Sequence, residues 1–485
     1  MFPLLNSETI IMPLTEKRNL VKTKTAKKSI HSFLFLSMGM AICVVIGCST
    51  NNPQQSAAPD FNIPENFKNS ELSAQTIQSS WLKTFDDPHL HKLISEVLTN
   101  NLDLQIAAAK VDSAAAAAKQ AGATLKPAVN LGLQGTDRGN VKGASGDGIS
   151  NVGTSLDISW ELDVWGRIRA GRDAATEELQ ASSLDYEYAK LSLAAQTAKA
   201  YFLAIETRRQ VGLASDTVAN YAKAVDIASA FFDEGLVGIQ DVHLAKSQRA
   251  SAEASLENLR AAYADALRSL EALLGRYPSA DIEITNTLPT LPTTVPAGVP
   301  SDVLERRPDI VAAERRVAAA FKKTQQAKAA KLPTISLTSS AGGSGSSLSD
   351  IVDPANMIWN VATSLMFPIF DGGNLDAQIA SATANQKQAL ANYQKTALSA
   401  FVDIESALSN ETSLRKQIIN LRSAYDEAAR AEKIGWETYQ GGEGNLLDVQ
   451  QLQRSTISAR SALLNTEHEL FVQRINLYLG LGGEI

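Results

Sequence analysis

The chain has 485 residues, a net charge of -7, two cysteines and an apolar content of 44% with only 6% aromatics. An acidic chain without a basic patch is a poor nucleic-acid binder, and two cysteines a few residues apart make neither a disulfide framework nor a metal site. Alanine and leucine carry much of the apolar content, which suits long helices better than an all-β fold.

The first fifty residues account for both cysteines. Lys22, Lys24, Lys27 and Lys28 form a basic run, and an apolar stretch follows that ends at Val45-Ile46-Gly47-Cys48. A charged region, a short apolar region and a small residue before the cut form a secretory signal. The ending resembles a lipobox, with Cys48 as the lipidation site and Met12 as an alternative start. Ser49, where some lipoproteins carry aspartate, favours sorting to the outer membrane in that scheme. After this segment no apolar run is long enough for a spanning helix, so a crossing of the membrane would need β-strands.

The rest of the chain repeats one plan. Asp103-Leu104 aligns with Asp309-Ile310 at a shift of 309 − 103 = 206, and Pro127 then meets Pro333. With one extra residue Gly166 meets Gly373, Tyr186 meets Tyr393, Asp241 meets Asp448 and Gly275 meets Gly482. Each half is predicted as helix, strand, strand, long helix, turn, long helix.

The strands alternate with period two, which leaves one face dry and one wet. Val129, Leu131 and Leu133 alternate in the first, and Leu156, Ile158, Trp160 and Leu162 in the second. Ile335 and Leu337 do so in the third. Trp359, Val361, Thr363, Leu365, Phe367 and Ile369 do so in the fourth. The glycine- and serine-rich stretches 139–148 and 342–349 are predicted as exposed loops between paired strands.

The helices carry coiled-coil seams: Leu184, Tyr188, Leu191, Ala195, Ala198, Phe202 and Ile205 in one, and Leu452, Thr456, Ala459, Leu463, Thr466 and Leu470 in another. No proline interrupts residues 166–277 or 373–485; glycines do so at Gly235, Gly238, Gly441, Gly442 and Gly444. Each stretch is therefore two helices joined at a tight turn, the first roughly 100 Å long at ~1.5 Å per residue. Four strands per chain leave unpaired sheet edges, which a bilayer does not tolerate. The sheet must close with strands of other copies. Two copies would fill a small barrel with side chains and three would leave a lumen.

Trp81, Phe85, Asp87-Pro88, Leu90 and Asn101-Leu102-Asp103-Leu104 resemble the opening motif of the outer-membrane efflux lipoproteins, the NodT group of TolC-like channels. Leu304-Glu305-Arg306-Arg307-Pro308-Asp309-Ile310 resembles their most distinctive string, and residues 160–167 and 367–373 resemble their strand-to-helix junctions. The resemblance implies a mainly α fold with a transmembrane β-barrel portion. In it a homotrimer closes a twelve-stranded barrel that continues into a long periplasmic α-helical barrel. It implies outer-membrane lipid around the barrel, and a periplasmic adaptor and an inner-membrane pump of the resistance-nodulation-division type as partners. The function implied is a passive exit duct for drugs or other small solutes, with a duct for type I protein secretion as the alternative. The cargo is not written in the chain, because the pump selects it.

The expected organisation is a signal peptide over 1–47, a lipidated linker over 48–85, one efflux repeat over 86–275, an equatorial segment over 276–300 and a second repeat over 301–485. The candidate periplasmic gate is the pair of helix elbows, 232–242 and 439–449. There Asp241 and Asp448 line the constriction by resemblance, although both also suit helix N-termini. Tyr439 matches a gating tyrosine or is a packed interface residue. Gln451 stands where some relatives carry a second acid, and Gly444 where some carry an arginine. Arg306, Arg307 and Asp309 are expected to be structural. No nucleophile–base pair, phosphate loop or metal cluster is legible, so no catalytic residue, metal or cofactor is expected. His89 and His91 lack partners for a metal. Met357 and Met366 are the only methionines after Cys48, so no thioether path for copper is expected.

Overall fold

The computed structural model describes residues 63–64, 66–68, 81–138, 149–291 and 300–483; the signal segment and Cys48 lie outside them. A single 3-10 turn, Trp81–Phe85, leads into α1 (Pro88–Asn100) and α2 (Leu102–Ala123). Two strands follow, β1 (Ala128–Arg138) and β2 (Ile149–Leu162), then α3 (Arg167–Asp233) and α4 (Ile239–Leu273). The second half runs α5 (Pro300–Arg306), α6 (Pro308–Ala329), β3 (Thr334–Gly345), β4 (Met357–Met366), α7 (Asn374–Gln440) and α8 (Leu446–Gly480).

The longer helices of the two halves match in length. α2 and α6 both have 22 residues, α3 and α7 both 67, and α4 and α8 both 35. The offset is 308 − 102 = 206 before the strands and 374 − 167 = 207 after them. The elbow between long helices needs one residue in the left-handed region, where a side chain is disfavoured. Gly235 (φ 76°) and Gly442 (φ 81°) supply it, again 207 apart.

α1 and α2 start where the sequence provides caps. Asp87 accepts from the N–H of His89 and Leu90 at 2.9 and 3.2 Å, ahead of Pro88. Asn101 does the same for Asp103 and Leu104 at 2.9 and 3.2 Å. Such a cap satisfies donors that the first turn leaves open, worth about 1 kcal/mol.

α3 packs between α2 and α4 on one side and α6 and α8 on the other, whereas α7 packs chiefly against α6 and α8. The consequence shows in burial: α3 buries 20 of its residues and α7, of equal length, only eight. Leu398, Val402, Ile419 and Ile434 of α7 are exposed. α7 is therefore an open edge of the helical layer, and β4 is the matching edge of the sheet.

The main core lies where α1 and the 3-10 turn pack on α3, α4 and α8. Trp81, Phe85, Tyr201, Phe202, Phe471 and Tyr478 stack there, with the Phe202 and Phe471 rings 4.6 Å apart. Tyr201 donates to Asp87 at 2.8 Å. A buried ion pair ties α8 to α7: Arg474, fully buried, donates through Nε to Glu411 at 3.0 Å. At the far end Val225, Ala228, Val242, Ala245, Tyr439, Leu446 and Val449 form a separate small core.

Two expectations about the strands need correction. Residues 342–345 are not loop but the end of β3. The glycine there serves close packing: a Cβ on Gly342 would lie 1.9 Å from the Thr154 carbonyl oxygen. β4 stops at Met366 and does not reach Ile369. Pro368 has no N–H for a ladder, and Phe367, Ile369 and Phe370 are left exposed. The other predicted loop, 139–148, lies outside the described residues.

Candidate functional site: the two-faced sheet and the helical elbows

The four strands form one antiparallel sheet in the order β1-β2-β3-β4. Residues paired across an antiparallel sheet share a face. Val129 pairs with Ile158, Ile158 with Ser339 and Ser339 with Val361. The next row of that face is Leu131, Leu156, Ala341 and Trp359. The opposite face carries Asn130, Asp157, Ser340 and Asn360 in one row and Glu161, Ser336 and Ser364 in another. So one face is apolar and the other polar. The apolar face is uncovered: Leu131 is 73% exposed and Trp359 76%. Soluble proteins rarely leave so extended an apolar face open to water, and such a face marks contact with a membrane or another protein.

Below the sheet the strand-to-helix junctions are fixed by charge and by tryptophan. Arg167 donates through Nη2 to both carboxylate oxygens of Glu161 at 2.8 Å. The indole of Trp160 donates to the Leu125 carbonyl at 2.9 Å, and that of Trp165 to Pro333 at 2.7 Å. Indoles with an apolar body and a satisfied N–H suit a membrane–water boundary.

The elbows hold the four candidate gate residues. Asp448 is in the first turn of α8 and exposed. Its N–H donates to Asn445 Oδ1 at 2.9 Å, so Asn445 caps the helix, and its carboxylate accepts from the same side chain's Nδ2 at 2.7 Å. Asp241 is in the first turn of α4, but the residue before that helix is Gly238, which offers no side-chain cap. The repeat aligns the two aspartates, yet only Asp448 is held by its neighbour.

Tyr439 is buried at 2% exposure, its ring 5.5 Å from Phe231 and 6.0 Å from Trp436. Burial, and then the Asp241 carboxylate, push its phenol above the ordinary tyrosine range. Tyr439 and Asp241 are thus brought together from different helices. Gln451 is exposed and accepts from Arg454 at 2.8 Å. Glycine at 444 is sterically favoured, since a Cβ there would lie 3.2 Å from the Tyr439 nitrogen.

Three buried polar anchors stand out, and only the third was legible in the sequence. Glu271 accepts from the N–H groups of Ala280, Asp281 and Ile282 at 2.7, 2.8 and 3.0 Å, fastening the chain after α4. Arg474 and Glu411 are described above. Arg307, expected only to be structural, is 4% exposed and binds Asp309 at 2.7 Å. The last was signalled by the Arg-Arg-Pro-Asp string; nothing local signals the other two.

An apolar–polar sheet with open edges, carried on helix pairs of this length, defines a subunit of an outer-membrane channel. The comparisons agree. The family model described as outer membrane efflux protein matches residues 93–276 and 299–483, and the chain belongs to that family. It is 30% identical over 459 residues to the cation efflux system protein CusC of Escherichia coli, covering 92% of this chain and 98% of that one. It is 30% identical over 458 residues to the pyoverdine export outer membrane protein OpmQ of Pseudomonas putida, covering 90% and 95%. The structure superposes on the open state of the MtrE outer membrane channel of Neisseria gonorrhoeae with a TM-score of 0.78 at 27% identity, covering 88% and 96%. The chain is an outer-membrane channel component of an efflux system, with the TolC-like fold.

Proposed function

We propose that three copies of the chain close their four-stranded sheets into one twelve-stranded barrel, the passive exit duct of a tripartite efflux system. The supporting observation is the sheet itself: one apolar face, one polar face and two unpaired edges. In lipid every backbone polar group needs a partner, so β4 of one copy pairs with β1 of the next. Three copies leave a lumen where two would fill it. The apolar face meets lipid and the row of Asn130, Asp157, Ser340 and Asn360 faces water. The exposed apolar residues of α7 are covered by the neighbouring copy.

The long helices hang into the periplasm, where an adaptor and an inner-membrane pump of the resistance-nodulation-division type engage the elbows. Asp241 and Asp448 then ring the closed mouth, and their carboxylates favour cations there. Tyr439 packs the elbow beneath Asp241, and Gln451 lies on the same rim. Cys48 carries the lipid that adds a second anchor, with 48–85 as its linker and 86–275 and 301–485 as the two repeats. The duct binds and releases solutes without changing them. Planar-bilayer recording of the purified detergent-extracted protein tests this. Discrete conductance steps from a three-subunit particle are expected. A monomer that stays soluble without detergent and never conducts would overturn the reading.

A further inference from the structure

We propose that the foot of the duct holds a binding station for drug-sized organic anions, a groove between α3, α6 and α7 with Lys323 as its specific cation. The inference rests on the duct reading above, because it needs the polar face of the sheet to line the lumen.

The groove has a volume of about 410 Å³, enough for a small dye or drug. Arg167, Lys323, Gln326, Gln378, Ser381 and Asn385 supply its polar lining, and alanines make its floor. No carboxylate lines it. Its two charged residues, Arg167 and Lys323, are both cations. Its orientation follows from one ion pair. Glu161 lies on the polar face, opposite Ser336 and Ser364, and Arg167 is bound to Glu161 at 2.8 Å. The groove that Arg167 lines therefore opens at the foot of the polar face, on the lumenal side.

The two cations differ in availability. Arg167 is engaged by Glu161, with side chains 30% and 31% exposed. Lys323 is exposed, and no carboxylate lies within ion-pair distance of it among the described residues. By contrast Lys331 is paired with Asp376. An amide-lined trough over an apolar floor, with one uncommitted ammonium, matches a flat molecule that bears a carboxylate or sulfonate. Gln326 is held in place by close packing over Gly171, where a Cβ would lie 2.9 Å from its amide nitrogen.

The test measures binding of carboxyfluorescein, and of the cation rhodamine 6G, to the detergent-solubilised full-length protein by fluorescence anisotropy. Wild type is compared with Lys323→Gln, Lys323→Arg and Lys322→Gln. Lys322 is its neighbour in sequence but does not line the groove. Lys323→Gln is expected to weaken carboxyfluorescein about tenfold, the loss of one charge-assisted hydrogen bond. Lys323→Arg and Lys322→Gln should retain it, and rhodamine binding should not respond. Equal affinity in wild type and Lys323→Gln, or an equal loss in Lys322→Gln, overturns the station. The same preparations are recorded in bilayers. If they conduct normally while the dye ignores Lys323, the station alone fails. If wild type never conducts, the duct reading fails and the station with it.

Discussion

Arg307 donates from Nη1 to the carbonyl of Gly480 at 3.3 Å, joining the helix that opens the second repeat to the one that closes it. The first repeat has the same clasp, where Asn101 Nδ2 donates to the Leu273 carbonyl at 2.8 Å. Residue 101 maps on 307 at the offset of 206, and 273 maps on 480 at 207. The clasp satisfies carbonyls that a helix C-terminus leaves open. It ties the end of each 35-residue helix to the start of the 22-residue helix of its repeat, a junction termed the waist.

Arg307 is the stronger of the two because it is buried and also binds Asp309 at 2.7 Å. Arg307→Ala leaves Asp309 without its partner, at a cost of about 3–5 kcal/mol. Asn101→Ala loses a neutral cap and clasp, about 1–2 kcal/mol. Thermal unfolding in detergent should rank wild type above Asn101→Ala above Arg307→Ala. An Arg307→Ala protein as stable as wild type would remove the clasp from the account.

In the proposed barrel the repeat also sets the register between copies. Asp157 of β2 pairs with Ser340 of β3. Moving to the equivalent positions, 157 + 207 = 364 and 340 − 206 = 134, puts Ser364 of one copy opposite Gln134 of the next. Leu365 then falls opposite Leu133, apolar on apolar. A Ser364→Cys, Gln134→Cys double variant should oxidise to a covalent trimer on a denaturing gel. Ser364→Cys with Gly135→Cys, one residue out and on the other face, should not. Cross-linking of the second pair but not the first would show a different register.

At the elbows the charge of Asp448 and its contact with Asn445 can be separated. Asp448→Asn keeps a side chain able to accept from Asn445 but removes the charge, whereas Asp448→Ala loses both. Both variants should lower the cation-to-anion permeability ratio by about twofold or more, since a mouth lined by like charge sets the potential there. Only Asp448→Ala should also lose the side-chain bond from Asn445, about 0.5–1 kcal/mol. Reversal potentials in a potassium chloride gradient report the first effect. Unchanged potentials in both variants would leave Asp448 with no part in the gate.

Glu271 gives the waist an acid dependence. Burial by itself raises its pKa, but the N–H groups of Ala280, Asp281 and Ile282 outweigh that and hold it below the usual carboxylate value. A carboxyl lowered in the folded state stabilises above its unfolded pKa of about 4.3, and that contribution is lost as pH falls through the folded value. Glu271→Gln should cost about 1–3 kcal/mol at neutral pH. Melting temperatures of the two proteins should converge as the pH drops below about 4. A gap that stays constant from pH 7 to pH 3 would contradict this.

Much of the fold was legible because it is periodic. Two helix seams, alternating strands and a repeat offset are statements about spacing, and spacing survives in a single sequence. The tight glycines at 342–345 were misread because glycine marks both a loop and a strand that another backbone approaches closely; only the Thr154 contact decides. The end of β4 was overrun because the alternation continues through Phe367 and Ile369 although Pro368 cannot donate. Arg474–Glu411 joins residues 63 apart and Tyr201–Asp87 residues 114 apart, and no local pattern encodes such partners. At the candidate gate, residue types were legible but not their roles. Whether the aspartate is held or bare depends on whether Asn445 or Gly238 is the cap before it.

The most direct test concerns two adjacent residues of β1. Asn130→Cys and Leu131→Cys variants, reconstituted in lipid vesicles, are treated with a membrane-impermeant maleimide. A water-filled barrel exposes position 130 to the reagent and turns 131 into hydrocarbon, so rapid labelling of the first and none of the second is expected. Equal labelling of both, or labelling of position 131 alone, would mean that the sheet does not stand in the membrane as a stave of a channel.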